Sequence, residues 1–282
     1  MLHISDICDN NSPEIANPLF WFYCPFGIVV LVIRLFIIAS FVFFSVVTPP
    51  EWRRVSFPVL RWLLGIRVGL NRTKRAIGQE IGRTVVAVNH VSVIDYWVTP
   101  EIGHPVVVSG TALRRENRLD PIIFKTMELV SGVRFLPARD ARGIAALLER
   151  WRLKKEATTL YVPAEMTINN GRGLFRFNPT LLSRGFPVVP MALTITTCLG
   201  LVPHPLMSGG LATMLRLLML PRVRFAVAYL PAQHRAPGEA PQHFADRIQR
   251  MIADHLGIPA TAFTVEDKRL YRNAKSSGAR VS

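Results

Sequence analysis

The stretch "FWFYCPFGIVVLVIRLFIIASFVFFSVV", Phe20 to Val47, constrains this chain more than any other. It is an almost unbroken apolar run with a single charge inside it, Arg34. A helix that crosses a bilayer needs about 20 apolar residues, and this run exceeds that. It does not read as a cleaved secretion signal. Asp6, Asp9 and Glu14 precede it where a basic region would stand, and no small-residue cleavage pattern follows. So long a run is also rare as a core helix of a soluble protein. A central arginine costs roughly 2.5–3.5 kcal/mol on insertion scales. Two arrangements accommodate it: a helix that spans, or a helix or hairpin that enters one leaflet and lets Arg34 snorkel to the headgroups.

The next segment points the same way. "FPVLRWLLGIRVGL", Phe57 to Leu70, mixes apolar residues with Arg61 and Arg67, and Pro58 suits a first helical turn. The expectation is a short amphipathic helix lying in the interface. Arg53, Arg54, Arg61, Arg67, Arg72, Lys74 and Arg75 cluster around it, and basic residues beside a membrane segment favour the cytoplasmic face. The whole chain carries a formal charge of +15, which suits nucleic acid, anionic headgroups or phosphorylated substrates. The apolar run, without any zinc-finger, single-strand-binding or helix-turn-helix pattern, turns that choice towards lipid and away from nucleic acid. Cys8, Cys24 and Cys198 are too few and too scattered for a disulfide framework or a metal site.

From about Arg83 the pattern changes to alternating strands and helices. Expected strands are 84–88, 106–109, 134–136, 158–162, 188–195 and 223–230; expected helices are 93–102, 121–131, 142–156 and 242–256. Several strands are short, β-branched and apolar throughout, as buried strands are. Alternation of this kind implies an α/β fold, a mostly parallel sheet flanked by helices, preceded here by membrane-embedded helices. Sites in such sheets lie beyond the carboxyl ends of the strands.

"VNHVSVID", Val88 to Asp95, stands at such an end. If the strand stops at Asn89 and Ser92 caps the next helix, Asp95 sits in the first turn, as the acid of a capping box does. Its carboxylate then reaches back to the loop holding His90. It can accept the Nδ1 proton and leave Nε2 as a base towards a hydroxyl. The pair by itself reads equally as a strand-end histidine and a capping acid.

Further blocks decide the matter by resemblance. "NHVSVID" resembles the NHxxxxD signature of the glycerophospholipid acyltransferases, which include the 1-acylglycerol-3-phosphate and lysophospholipid enzymes. "SGVRFLPARD" (Ser131 to Asp140), "VPAEMTINNGRGLFRFNP" (Val162 to Pro179) and "FPVVPMAL" (Phe186 to Leu193) are similar to the family's later blocks, in order. The likeness runs over about residues 18 to 272. It departs in the third block, where Ala164 separates Pro163 from Glu165 and Met166 stands where the family has Gly. The second block is about one residue long before Arg139. These departures keep open a non-catalytic or weakly active relative that binds lipid at the membrane.

The resemblance implies a division into an N-terminal segment (1–19), a membrane-embedded helical region (20–72), an acyltransferase domain (73–265) and a basic C-terminal tail (266–282). It implies a membrane-bound enzyme with its catalytic domain on the cytoplasmic face. The enzyme would move a fatty acyl group from acyl-CoA or acyl carrier protein to a lysophospholipid, 1-acylglycerol-3-phosphate above all, without cofactor or metal. His90 is the expected base and Asp95 its partner. Asn89, Arg139, Glu165, Thr167 and Arg172 are expected to bind substrate, Arg139 by gripping the acceptor phosphate, with Arg176 a further phosphate candidate.

Overall fold

The computed structural model describes residues 2–8, 18–70, 83–102, 105–109, 120–138, 140–155, 158–201, 203 and 210–277. Within them β1 (Ile66–Leu70), β2 (Thr84–Val88), β3 (Val106–Ser109), β4 (Arg134–Pro137), β5 (Thr159–Pro163), β6 (Val188–Thr197) and β7 (Val223–Tyr229) form one sheet. Its order is β1-β7-β6-β2-β5-β3-β4. Neighbours are parallel except β6 and β7, so β1 and β7 run against the other five. Every residue of β2 and β5 is buried. Both strands are covered on both faces, which is why they read as continuous apolar runs.

The helices are α1 (Ile4–Cys8), α2 (Pro18–Val47), α3 (Pro50–Leu63), α4 (Asp120–Ser131), α5 (Ala141–Arg152), α6 (Pro179–Leu182), α7 (Gly210–Met219), α8 (Pro241–Leu256) and α9 (Val265–Ser276). Alternation along each strand sends residues to two cores. On one face Val86, Val88, Leu193 and Phe225 pack with Phe57 and Leu60 of α3, Val130 of α4 and Leu217 of α7. On the other, Val85, Ala87 and Val162 pack with Trp151 of α5 and Phe244, Ile248 and Ile252 of α8.

Helix α2 has 30 residues, about 45 Å at 1.5 Å per residue. Among the described residues it is the helix long and apolar enough to cross a membrane. Gly27, Arg34 and Ser45 are buried, and Phe20, Leu31, Ile38 and Phe41 are partly buried. These positions recur at three- and four-residue steps, so one stripe along most of α2 lies on the domain. Phe22, Phe26, Val29, Val32, Phe36 and Phe43 remain exposed. Arg34, for which snorkelling to headgroups was one of two arrangements, bonds inside the protein instead. Its guanidinium donates to the carbonyls of Leu218 (2.8 Å), Pro221 (3.0 Å) and Leu220. These carbonyls stand at the C-terminal end of α7, where a helix has acceptors without intrahelical donors and the negative end of its dipole. A cation buried there satisfies three acceptors, and α7 packs on α2.

Three expectations are corrected here. The segment 57–70 is not one interfacial helix. Helix α3 starts earlier, with Pro50 at its beginning and Pro58 inside it. The chain then turns at Gly65 (φ +73°), and 66–70 join the sheet as its edge strand. A Cβ at Gly65 would lie 2.2 Å from Arg34 Nη2 and 2.5 Å from the Pro221 carbonyl, so both the turn and the Arg34 contact need glycine. The expected helix 93–102 is a tighter 3₁₀ helix, Asp95–Ile102. The expected basic tail begins with a folded helix: α9 carries a capping box at Thr264 and Asp267, buries Tyr271 and packs on α1. Other boundaries shift by a few residues at most.

Candidate active site

Strand β2 delivers its last residue beside β6, and Asn89 extends the pairing past the strand. Its Nδ2 donates to the Leu193 carbonyl (2.8 Å) and its Oδ1 accepts from the Leu193 N–H (2.8 Å). The amide therefore acts as one more rung between β2 and β6, which pins the backbone entering His90.

His90 is 7 % exposed and Asp95 1 %. One oxygen, Asp95 Oδ2, stands 3.0 Å from His90 Nδ1 and accepts the N–H groups of Val91 (2.7 Å) and Ser92 (3.0 Å). The first-turn acid reaches back as its spacing predicts. An ionised carboxylate only accepts, so the imidazole proton belongs on Nδ1 and Nε2 carries the free lone pair. Tyr96, from the same 3₁₀ helix, stands 5.7 Å from the His90 ring centroid and packs edge-on against Phe135 and Phe124. Beneath lies Tyr161, fully buried on β5. Burial first, and then the charge of Asp95, push its phenol well above the usual range. Asp95 Oδ1 and the Tyr161 hydroxyl are both buried and have no hydrogen-bond partner among the described residues.

A second loop, after β5, closes on the first. Ala164 N–H donates to the Val88 carbonyl (2.9 Å). Glu165 then turns inward, 1 % exposed. Its Oε1 accepts from the His90 N–H (2.8 Å) and Asn169 Nδ2 (2.7 Å), and its Oε2 accepts from the Phe175 N–H (2.7 Å). The His90 carbonyl in turn accepts from the Asn169 N–H (2.8 Å), so the His90 backbone is held from both sides. Burial pushes the Glu165 carboxyl up to about 8, opposed by its three donors and by the nearby ammonium of Lys268. Lys268 comes from α9, donates to the Ile168 carbonyl and lies 5.6 Å over the Phe175 ring. Burial pulls its own pKa below the usual range. Met166, next to Glu165, has φ +57°, in the left-handed region that favours glycine.

The structure thus brings together His90, Asp95, Asn89 and Glu165. The polar atoms of Asn89 and Glu165, expected to bind substrate, bond to Leu193, His90, Asn169 and Phe175 around the His90 backbone. Thr167 is half-buried in the Glu165 loop. Arg172 is exposed on the turn after Asn170. Arg176 is not free for a phosphate: it pairs with Asp246 of α8 through two bonds, of 2.8 and 3.0 Å. Arg139 lies outside the described residues. Sequence reasoning missed Asn169 and Lys268. Asn169 carried the faint signal of standing four residues after Glu165. Lys268, about a hundred residues away, carried none. A cavity of about 280 Å³ opens past the end of β2, lined by Asn89, Val91, Asn170, Gly171, Leu193 and Thr194 among others, with His90 and Asp95 outside its lining.

No family model matches the chain. It is 28 % identical over 263 residues to the lipid droplet-regulating VLDL assembly factor AUP1 of Xenopus laevis, covering 88 % of this chain and 60 % of that protein. It is 31 % identical over 200 residues to the lysophospholipid acyltransferase LPCAT4 of Homo sapiens, covering 66 % of this chain and 37 % of that one. The chain spans about three-fifths of the length of the AUP1 proteins it matches. In fold it resembles the crystal structure of the 1-acyl-sn-glycerophosphate acyltransferase PlsC from Thermotoga maritima. There the TM-score is 0.54 at 12 % identity, over 83 % of this chain and 97 % of that one.

Proposed function

We propose that this chain, which belongs to the glycerophospholipid acyltransferase family, moves a fatty acyl group from an acyl thioester to the hydroxyl of a lysophospholipid. The observation that carries this reading is the convergence of His90 Nδ1 and two backbone amides on one oxygen of Asp95. That arrangement fixes the tautomer and leaves Nε2 to act as base. The acceptor O–H proton passes to Nε2 while the oxygen attacks the thioester carbonyl. The carbon–sulfur bond then breaks, the ester forms, and the imidazolium returns its proton to the thiolate. Asp95 stabilises the imidazolium in between. The acceptor we favour is 1-acylglycerol-3-phosphate, with Arg139 gripping its phosphate bidentately and Thr167 and Arg172 beside it. The exposed face of α2 would lie in lipid with the domain on the cytoplasmic side, as the basic residues of α3 favour.

The test is acyl transfer by the purified chain from labelled acyl-CoA or acyl carrier protein to a panel of lysophospholipids. His90→Ala should lose at least about 10²-fold in turnover while keeping its melting temperature. Near wild-type turnover in that variant would sink the assignment.

A second reading has its own support. Met166 departs from the glycine pattern and sits at positive φ, and some relatives are named as lipid droplet factors rather than enzymes. A chain that binds lysolipid vesicles but transfers nothing would be a lipid-binding relative.

A further inference from the structure

The pair of His90 and Asp95 rests on a layer of tyrosines that the proposed reaction does not use. Strand β5 runs parallel to β2, with Tyr161 opposite Val86 and Pro163 opposite Val88. Val86 and Val88 face the core shared with α3 and α4. Tyr161 belongs to that core, together with Ile94, Tyr96 and Trp97 from around the start of the 3₁₀ helix. The register of β5 on β2 therefore sets Tyr161 under the loop that carries Asp95. Its ring centroid lies 6.3 Å from that of Tyr96, which in turn lies 5.7 Å from that of His90. Tyr229, the last residue of β7, is buried in the same cluster.

Two oxygens in this layer are unsatisfied. Asp95 uses its carboxylate unevenly: Oδ2 collects His90 Nδ1 and the amides of Val91 and Ser92, whereas the buried Oδ1 has no hydrogen-bond partner among the described residues. The Tyr161 hydroxyl is buried and without a partner in the same way. Tyr161 is 0 % exposed and Asp95 1 %. Buried polar atoms of this kind are rare, because each has given up its bonds to water without replacing them. These two are complementary. An ionised carboxylate only accepts, and a phenol that keeps its proton donates. The ionisable groups acting on Tyr161 are Asp95, Tyr96 and Tyr229, with Asp95 foremost, and after burial they hold the phenol in its protonated form. The two oxygens do not bond to each other directly. One water molecule is the smallest group that satisfies both, accepting from the phenol and donating to the carboxylate.

We propose that Tyr161 is a positioning residue for the base, its hydroxyl donating to one buried water that donates in turn to Asp95 Oδ1. The inference rests on the acyltransferase reading and adds to it a third side chain, on β5, behind the His90–Asp95 pair. With both oxygens bonded, the carboxylate is fixed about its Cβ–Cγ bond. Its charge is then supported from behind while the imidazolium forms in front of it. Tyr161 acts only through Asp95 and touches no reacting atom.

The test is Tyr161→Phe in the full chain in detergent micelles, which removes one oxygen and keeps the ring. Turnover should fall about tenfold while the Michaelis constants for thioester and lysophospholipid stay within about twofold. In an Asp95→Asn background the same substitution should lower turnover by less than about twofold, because a residue that acts through the carboxylate has little left to support. Equal losses in the two backgrounds would make Tyr161 a packing residue and overturn the proposal. Turnover that Tyr161→Phe leaves unaltered refutes the positioning role and leaves the enzyme standing. Thermal unfolding needs no turnover and so separates this inference from the acyltransferase reading. If the hydroxyl is bonded, Tyr161→Phe lowers the melting temperature. If it is an orphan, its removal relieves a buried unpaired group, and the melting temperature holds or rises. A drop in wild type that is smaller in the Asp95→Asn background supports the link from Tyr161 to Asp95 even if the chain transfers no acyl group. An unchanged or raised melting temperature refutes that link whatever the turnover.

Discussion

Two loops build the candidate site, and they are held in different ways. The first, from Asn89 to Asp95, closes on itself: the carboxylate of Asp95 collects bonds from residues three to five positions earlier. The second, from Ala164 to Asn178, closes on the rest of the molecule. Glu165 reaches the His90 and Phe175 N–H groups, Asn170 bonds to Asp6 and Ile7, and Lys268 arrives from α9. A local network tolerates drift elsewhere in the sequence. A network spread across the chain does not announce itself in any one segment, and it ties the base to both ends of the described chain.

The contrast predicts different failures. Asp95→Asn should have the largest effect. An asparagine oxygen can still accept the same amides, so the loop should survive, but the imidazolium loses its charge partner. We expect turnover to fall by about 10²–10⁴-fold with both Michaelis constants little changed. Loss of folded protein instead would mean that the first loop is no more self-contained than the second.

Glu165→Gln should chiefly cost stability. Gln offers one acceptor oxygen where Glu165 offers two, so at least one buried N–H loses its partner, at about 1–3 kcal/mol. Its pH dependence identifies the cause. A carboxyl raised to about 8 in the folded chain, from an ordinary value near 4.5, binds more protons folded than unfolded between those limits. Its contribution is fully present below the unfolded value and is lost as pH rises towards 8. Wild type should therefore lose stability over that window, and the difference between wild type and Glu165→Gln should shrink as pH rises. A difference that stays constant with pH would show that Glu165 is ionised throughout.

Lys268→Met should be milder. It removes a bond to the Ile168 carbonyl but also removes a buried ammonium, two effects of opposite sign, and a net loss of about 1 kcal/mol is expected. Its sharper signature is on Glu165. Without the nearby cation the carboxyl should rise further, moving the stability window to higher pH. An unmoved window would mean that α9 merely covers the loop.

The same contrast accounts for what could be read from sequence. Strands β2 and β5 are buried on both faces, so apolarity alone marks them. The Asp95 contact follows from a helix start and a five-residue spacing. Strand β1 was hidden because Ile66, Val68 and Leu70 alternate for only five residues and follow a helix without a break in hydrophobicity. The role of Arg34 was hidden because α2 is apolar on every side, and its buried stripe shows only once α7 is packed against it. Glu165 is recognisable by its block, but that its oxygens face the N–H of His90 in the other loop and that of Phe175 further along its own is a tertiary fact.

Met166 offers the smallest effect and the most direct test of the second loop. A side chain in the left-handed region costs roughly 1–2 kcal/mol, whereas glycine there is unstrained but loses about 0.5–1 kcal/mol through its freer unfolded chain. The balance favours Met166→Gly by about 0.5 kcal/mol, less whatever the half-buried side chain contributes by packing. In a chain of this size that is a rise of about 1–2 °C in melting temperature. The two contributions separate with a second variant. Met166→Ala keeps the strained backbone and removes the side chain, so it should melt below Met166→Gly by the whole backbone term, even if both melt below wild type. Equal melting of the two would mean that the loop relaxes out of positive φ when the methionine is removed. The loop would then be set by the Met166 side chain, and its strain would not be a fixed consequence of tying Glu165 to His90.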